Sequence, residues 1–396
     1  MKKKILFMLI NMNIGGTEKA LLTMLAEIDK AEYDVTLLML EEYGGFLDQI
    51  PNWVNVKYIK NFKELKKIIN NPIHVNAIDL FKNKEFVKAT KMVYLYLIYK
   101  ITKEQTKFYE YILNDYPVID EEYDMAVAYA GPMDFISYFV VHKIKSKKKV
   151  QWIHFDVTKI GFNKKFAMKI YEKFDNIFVV SNEAKNKLHN LLPCLNDKTE
   201  VFFNIISPKT IIKMSKEGSG FDDNFKGIRI LTVGRLSKEK GQDLTIPVLA
   251  KLKANGYNVK WYCIGEGNAR HEYERIIKQH KLENDYLLMG NKTNPYPFMK
   301  DCDIYVQPSR YEGYCITLSE IRCFNKPIIA TKFTGANEQI KHNQTGVLVD
   351  INEDEIYEYI KELIDNIALK NKISKNLKNE QLNEKTSLEK LYTVLE

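Results

Sequence analysis

Short, uninterrupted apolar runs recur along the chain, each bounded by polar residues. KKILFMLI, YDVTLLML and VNVKYI have this form, as do YDMAVAYA (Tyr123–Ala130), KKVQWIHF and NIFVVS (Asn176–Ser181). A run that stays apolar without alternating predicts a strand covered on both faces, as in a parallel sheet. Between the runs, apolar residues return at helical spacing, as in IGGTEKALLTMLAEI. Strands and helices in alternation predict βαβ units.

The pattern breaks at MSKEGSGFDDNFKG (Met214–Gly227), where Gly, Ser, Asp and Asn cluster as in a linker. A second alternating series follows, from IRILTVGRL through VKWYCIGEG, YLLMG, CDIYVQP and PIIAT to GVLVD. The expected architecture is α/β. Two doubly wound Rossmann-like domains, residues 1–210 and 211–380, face a central cleft, and a helix at about 380–396 packs back on the first. A chain of 396 residues exceeds what one core usually holds, and 45% hydrophobic content supplies two.

No apolar run approaches the ~20 residues of a membrane span. The opening MKKKILFMLINMN has a basic start but only a six-residue apolar run, and it fits a first strand better than a leader. Five cysteines form no CxxC and no metal spacing, which suits free thiols in a reducing cytoplasm.

The net charge of +8 is uneven: twelve lysines between Lys57 and Lys107 face only Glu64, Asp79, Glu85 and Glu104. Aromatics interleave with them. Such a stretch is a solvated helix face or a surface for anionic lipid at the inner membrane face. Nucleic acid is the weakest reading, since no binding motif accompanies the charge and no arginine precedes Arg229.

Four stretches carry candidate chemistry. In TVGRLSKEKG, Gly234 allows a tight strand exit and Arg235 and Lys240 bracket a short turn. A guanidinium fork and a mobile ammonium together suit a diphosphate. In IGEGNAR, Gly265 and Gly267 begin a dinucleotide fingerprint, but Arg270 stands where the third glycine belongs, so an NAD site is disfavoured. Asp301-x-Asp303 resembles a metal-binding pair, yet it precedes a strand instead of ending one. In SRYEGYCITLSE, Glu312 and Glu320 lie eight residues apart. On one helix they would diverge by about 80°. With Glu312 in a loop and a helix starting near Tyr314–Thr317, both face one cleft. A helix start attracts phosphate, and the acids suit sugar hydroxyls. A nucleoside diphosphate sugar offers both.

At this point the second half resembles the family 4 glycosyltransferases, which have the GT-B fold. VGRLSKEKG, IGEG, NPYPFMKDCDIYVQPSRYEGYCITLSE, KPIIAT, TGANEQI and GVLVD occur in order across about Ile228–Asp350. The resemblance implies that Glu312 contacts the donor sugar and Glu320 the ribose, that Arg235 and Lys240 bind phosphate, and that Gly313, Tyr314, Cys315 and Ile316 offer amides to it. Gly290 and Asn291 fall beside the base. More faintly, GGTEK puts Gly15 and Gly16 near donor phosphates and acceptor, and WIHFD puts His154 at the reacting centre. Cys315 departs from the glycine or proline commoner there. The implied activity is retaining, metal-independent hexosyl transfer without cofactor, from a nucleotide sugar (UDP-sugar foremost) to a saccharide or lipid-linked saccharide in surface-polysaccharide assembly. A UDP-sugar epimerase of the same fold and a basic binding module are the rivals.

Overall fold

The computed structural model describes residues 2–380 and 386–396. Its first sheet has seven strands, β1 (Lys3–Leu9), β2 (Tyr33–Met39), β3 (Asn55–Tyr58), β4 (Ile119–Ala128), β5 (Ile144–Ile153), β6 (Asn176–Val179) and β7 (Thr199–Val201). The second has six, β8 (Ile228–Val233), β9 (Val259–Ile264), β10 (Tyr286–Leu288), β11 (Ile304–Gln307), β12 (Ile328–Thr331) and β13 (Val347–Val349). The strand orders are β3-β2-β1-β4-β5-β6-β7 and β10-β9-β8-β11-β12-β13, and both sheets are parallel throughout. Each order reverses beside its first strand, so the strand ends flanking that point open a crevice.

The continuous apolar runs are strands because helices cover both faces. The last five residues of β1 and all four of β11 are buried. β4 begins earlier than the apolar pattern suggests, at Ile119, and ends at Ala128. β6 stops at Val179, because Ser181 caps the next helix, Asn182–Leu191, accepting from Ala184 N at 3.0 Å. β7 lacks the apolar run that marks the other short strands, since Thr199 and Glu200 precede Val201.

The two cores hand over abruptly. Ile205 packs in the first domain and Ile206 in the second, a few residues ahead of the expected boundary. The Thr386–Leu395 helix lies on the first domain. Leu388 and Leu391 join the β1–β2 core there, and Tyr392 stacks on Tyr33 at 4.7 Å.

Polar contacts hold the domains closed. Glu338 caps the Asn182–Leu191 helix from the opposite domain, accepting from Asn182 N at 3.0 Å and Glu183 N at 2.9 Å. Glu183 returns the contact, accepting from Gly335 N at 3.0 Å. Lys187 bridges Asp156 at 2.8 Å and Thr334 at 2.6 Å. Burial alone would raise the Asp156 pKa, but Lys187, Thr158 and Thr334 hold it down at about 2.

Candidate active site

The cation turn and the acid loop meet backbone to backbone. Gly241 has φ +71°, and a Cβ there would lie 2.0 Å from the Pro308 carbonyl oxygen. Glycine is therefore required by both conformation and space. Arg310 fastens the same segments, donating its amide to Glu239 O at 2.7 Å and forking onto Asp243 at 2.8 and 2.6 Å.

A buried chain of hydrogen bonds then aims Glu312. Tyr305 donates to Gln307 Oε1 at 2.7 Å, Gln307 Nε2 to Ser309 Oγ at 2.9 Å, and Ser309 to Glu312 Oε1 at 2.7 Å. Lys240 Nζ closes it, 2.6 and 2.7 Å from the two carboxylate oxygens. Burial works against the ammonium, but Glu312 outweighs it and the Lys240 pKa is raised. Arg235 stays at the surface behind Gly234, where Gln242 Nε2 holds its carbonyl at 2.9 Å. No close contact demands glycine at 234, where the nearest atom to an added Cβ is 3.7 Å away. Gly265 differs: at φ +147° its Cβ position lies 2.1 Å from Gly234 O. Its amide donates to Gly290 O at 2.9 Å, which ties the β9 and β10 exits together beside exposed Asn291.

Cys315 is the N-cap of the Ile316–Arg322 helix and adopts φ 60°, ψ 82°. This left-handed conformation suits the glycine commoner there, since a side chain costs about 1–2 kcal/mol in it, and excludes the proline that was the alternative. Burial pushes the Cys315 thiol up to about 12, so it is no nucleophile at neutral pH. Glu320 follows one turn later and is 1% exposed. Its Oε1 accepts from the Tyr296 hydroxyl at 2.9 Å and pairs with Lys19 Nζ at 2.9 Å, while Oε2 is buried without a partner.

The first domain meets this loop directly. A Cβ at Gly313 would lie 1.8 Å from the His154 carbonyl oxygen. Ser181 Oγ reaches Gly313 O at 3.5 Å, and a Cβ on Gly16 would touch Ile316 Cγ2 at 3.4 Å. Gly15, extended, caps the Gly16–Glu27 helix without a side chain. Tyr314 packs its ring 5.6 Å from Phe203, and burial lifts its hydroxyl to about 12. His154 stands edge-on to Tyr129 at 4.6 Å, and burial lowers its pKa to about 3, leaving it neutral. Its Nε2 is buried and unpartnered.

The structure thus brings Gly16, His154, Lys240, Glu312, Gly313, Tyr314, Cys315, Ile316 and Glu320 to the domain junction. Arg235, Gly265, Gly290 and Asn291 lie along the adjoining strand exits. Neither acid lines any of the three described cavities; the largest, about 670 Å³ against Tyr359 and Ile367, shares no residue with this site. Asp303 is structural, accepting from Arg229 N at 2.9 Å where two strands begin. Among the described residues no His, Cys, Asp and Glu cluster could hold a metal ion. Sequence reasoning passed over Lys19, Tyr296, Gln307, Ser309 and Glu338. Only Lys19 carried a signal, a charge one place before the buried Ala20–Leu21 pair.

Residues 219–380 match the family described as Glycosyl transferases group 1, and the chain has the GT-B architecture. The chain is similar to the N-acetylgalactosamine-N,N'-diacetylbacillosaminyl-diphospho-undecaprenol 4-alpha-N-acetylgalactosaminyltransferase of Campylobacter jejuni. The two are 29% identical over 52% of this chain and 56% of that protein. It is also similar to the capsular polysaccharide biosynthesis glycosyltransferase CapM of Staphylococcus aureus, 28% identical over 39% of this chain and 40% of that one. The matches thus span about half the length of these relatives. The fold matches Anabaena Alr3699/HepE in complex with UDP, with TM-score 0.65 at 19% identity over 100% and 99% of the two chains. Sucrose-phosphate synthase from Thermosynechococcus elongatus gives TM-score 0.69 at 14% identity over 100% and 99%.

Proposed function

We propose that the protein is a retaining, metal-independent glycosyltransferase. It moves a hexose from a nucleoside diphosphate sugar, a UDP-sugar foremost, to a saccharide acceptor carried on a lipid. The observation that carries this is the relay from Tyr305 to Lys240, which fixes a carboxylate and an ammonium at one strand exit. Glu312 meets the sugar hydroxyls, and Glu320 the ribose. Lys240 and Arg235 take up charge on the departing diphosphate, a preorganised form of stabilisation. The glycosidic carbon–oxygen bond to the diphosphate breaks as the acceptor oxygen attacks from the same face. The leaving phosphate oxygen accepts the acceptor's proton. We assign the buried, unpartnered Nε2 of neutral His154 to an acceptor or sugar hydroxyl. A panel of UDP- and GDP-sugars tests this by thermal shift, since a bound donor raises Tm by mass action. No shift with any of them, or isomerised sugar from donor alone, overturns it.

The lipid-linked acceptor rests on the Campylobacter jejuni relative's name and on a helical hairpin, Ile73–Lys82 and Phe86–Thr102. Its inner face packs Met92 and Leu95 in the core, while Val87, Tyr94, Leu97 and Ile101 stay exposed at helical spacing. Exposed Lys84, Lys88, Lys100 and Lys103 flank this stripe. A basic rim around an apolar face suits the surface of an anionic bilayer. Among the described residues no helix is long and apolar enough to cross one. Leu97→Glu with Ile101→Glu should abolish co-sedimentation with phosphatidylglycerol vesicles; undiminished binding would remove the hairpin from that role.

A further inference from the structure

The ion pair between Lys19 and Glu320 links the domains at the spot where the proposed function places the ribose. Lys19 extends from the Gly16–Glu27 helix of the first domain, and its ammonium lies 2.9 Å from Glu320 Oε1. The same ammonium sits 4.4 Å over the ring of Tyr296, whose hydroxyl donates to that same oxygen at 2.9 Å. A hydroxyl donor and an ammonium thus converge on one carboxylate oxygen. The other, Oε2, is buried and has no partner.

A buried carboxylate oxygen without a donor is costly. Here the surroundings supply a donor and a cation to one side and neither to the other. Glu320 thus keeps one acceptor in reserve, sealed from solvent in this closed arrangement. An uncompensated buried acid beside a diphosphate would repel it, and Lys19 removes the repulsion. The helix bearing Lys19 packs on the first domain through Leu21, Met24 and Leu25, and its first turn touches the second. Ala20 belongs to that domain's core, and Gly16 faces Ile316 on the Glu320 helix.

We propose that Lys19, with Tyr296, is a positioning residue of the donor site. It neutralises Glu320 and turns its free oxygen toward the vicinal hydroxyls of a nucleoside diphosphate, so the ribose subsite is complete only when the domains close. This rests on the nucleotide-sugar reading, and the experiment separates the two. The full-length protein is titrated calorimetrically with UDP, with GDP and with the 2′,3′-dideoxy form of each. Wild type should favour the ribose form by about tenfold, the loss expected for unmade hydrogen bonds to a charged group.

Lys19→Met should weaken the ribose form by about tenfold, leave the dideoxy form little changed, and so erase the preference. Lys19→Arg should restore it. A merely structural bridge would weaken both forms alike, which would overturn the inference. So would tighter binding by Lys19→Met, which would make Lys19 a plug in the seat. If wild type binds neither UDP nor GDP, the nucleotide-sugar reading falls and this inference with it.

Discussion

Glu312 and Glu320 sit eight residues apart and are built in opposite ways. Glu312 is held entirely within the second domain, by Ser309 and Lys240. Glu320 is completed by the first domain through Lys19. One acid is set by folding and the other by domain closure. On the proposed function, the sugar end of a donor would meet a finished subsite, while the ribose end would report whether the cleft is shut.

The sharpest way to break the self-contained side is Glu312→Gln. It leaves the loop in place and removes the charge facing Lys240, and transfer should fall on the order of 100-fold. UDP binding by calorimetry should change much less; equal losses would show that Glu312 serves binding alone. Gly313→Ala attacks the closed side. Its Cβ would meet the His154 carbonyl oxygen at 1.8 Å, so the domains must separate, and turnover should drop about 100-fold or somewhat less. Wild-type turnover in this variant would show that closure is dispensable.

Glu338→Ala is gentler. It strips an N-cap of the Asn182–Leu191 helix, a change worth about 1 kcal/mol. A larger radius of gyration by solution scattering and a severalfold weaker acceptor KM are expected, and an unchanged radius would assign closure to other contacts. The effect smallest at neutral pH is that of His154, which emerges on acidification. Burial holds the His154 pKa at about 3 in the folded chain, against about 6.5 unfolded. Between these values the unfolded chain binds the extra proton. Stability is thus present above pH 6.5 and falls by about 1.4 kcal/mol per pH unit on acidification. His154→Phe should flatten that part of the Tm–pH curve relative to wild type; a parallel curve would mean that the imidazole is not buried.

Much of the second domain was readable because its strands are short apolar runs between marked turns, and because Arg235, Lys240, Glu312 and Glu320 fall in one ordered set of motifs. The loop-then-helix placement of the two acids follows from Gly313 and the helix that begins at Ile316. The junction was not readable. Glu338 capping a helix more than 150 residues away leaves no local pattern, and neither does Lys19 reaching Glu320. The basic stretch was half readable: its lysines announced a surface, but only packing tells buried Met92 and Leu95 from exposed Leu97 and Ile101.

The passage from Ile205 to Ile206 has a mechanical corollary. A crossing one peptide unit long has no slack, so at that point the halves can pivot but cannot slide apart. It behaves as a rivet. An opening pivoted there would be a scissoring, with a small swing at the rivet becoming its widest gape at the far rim of the blades.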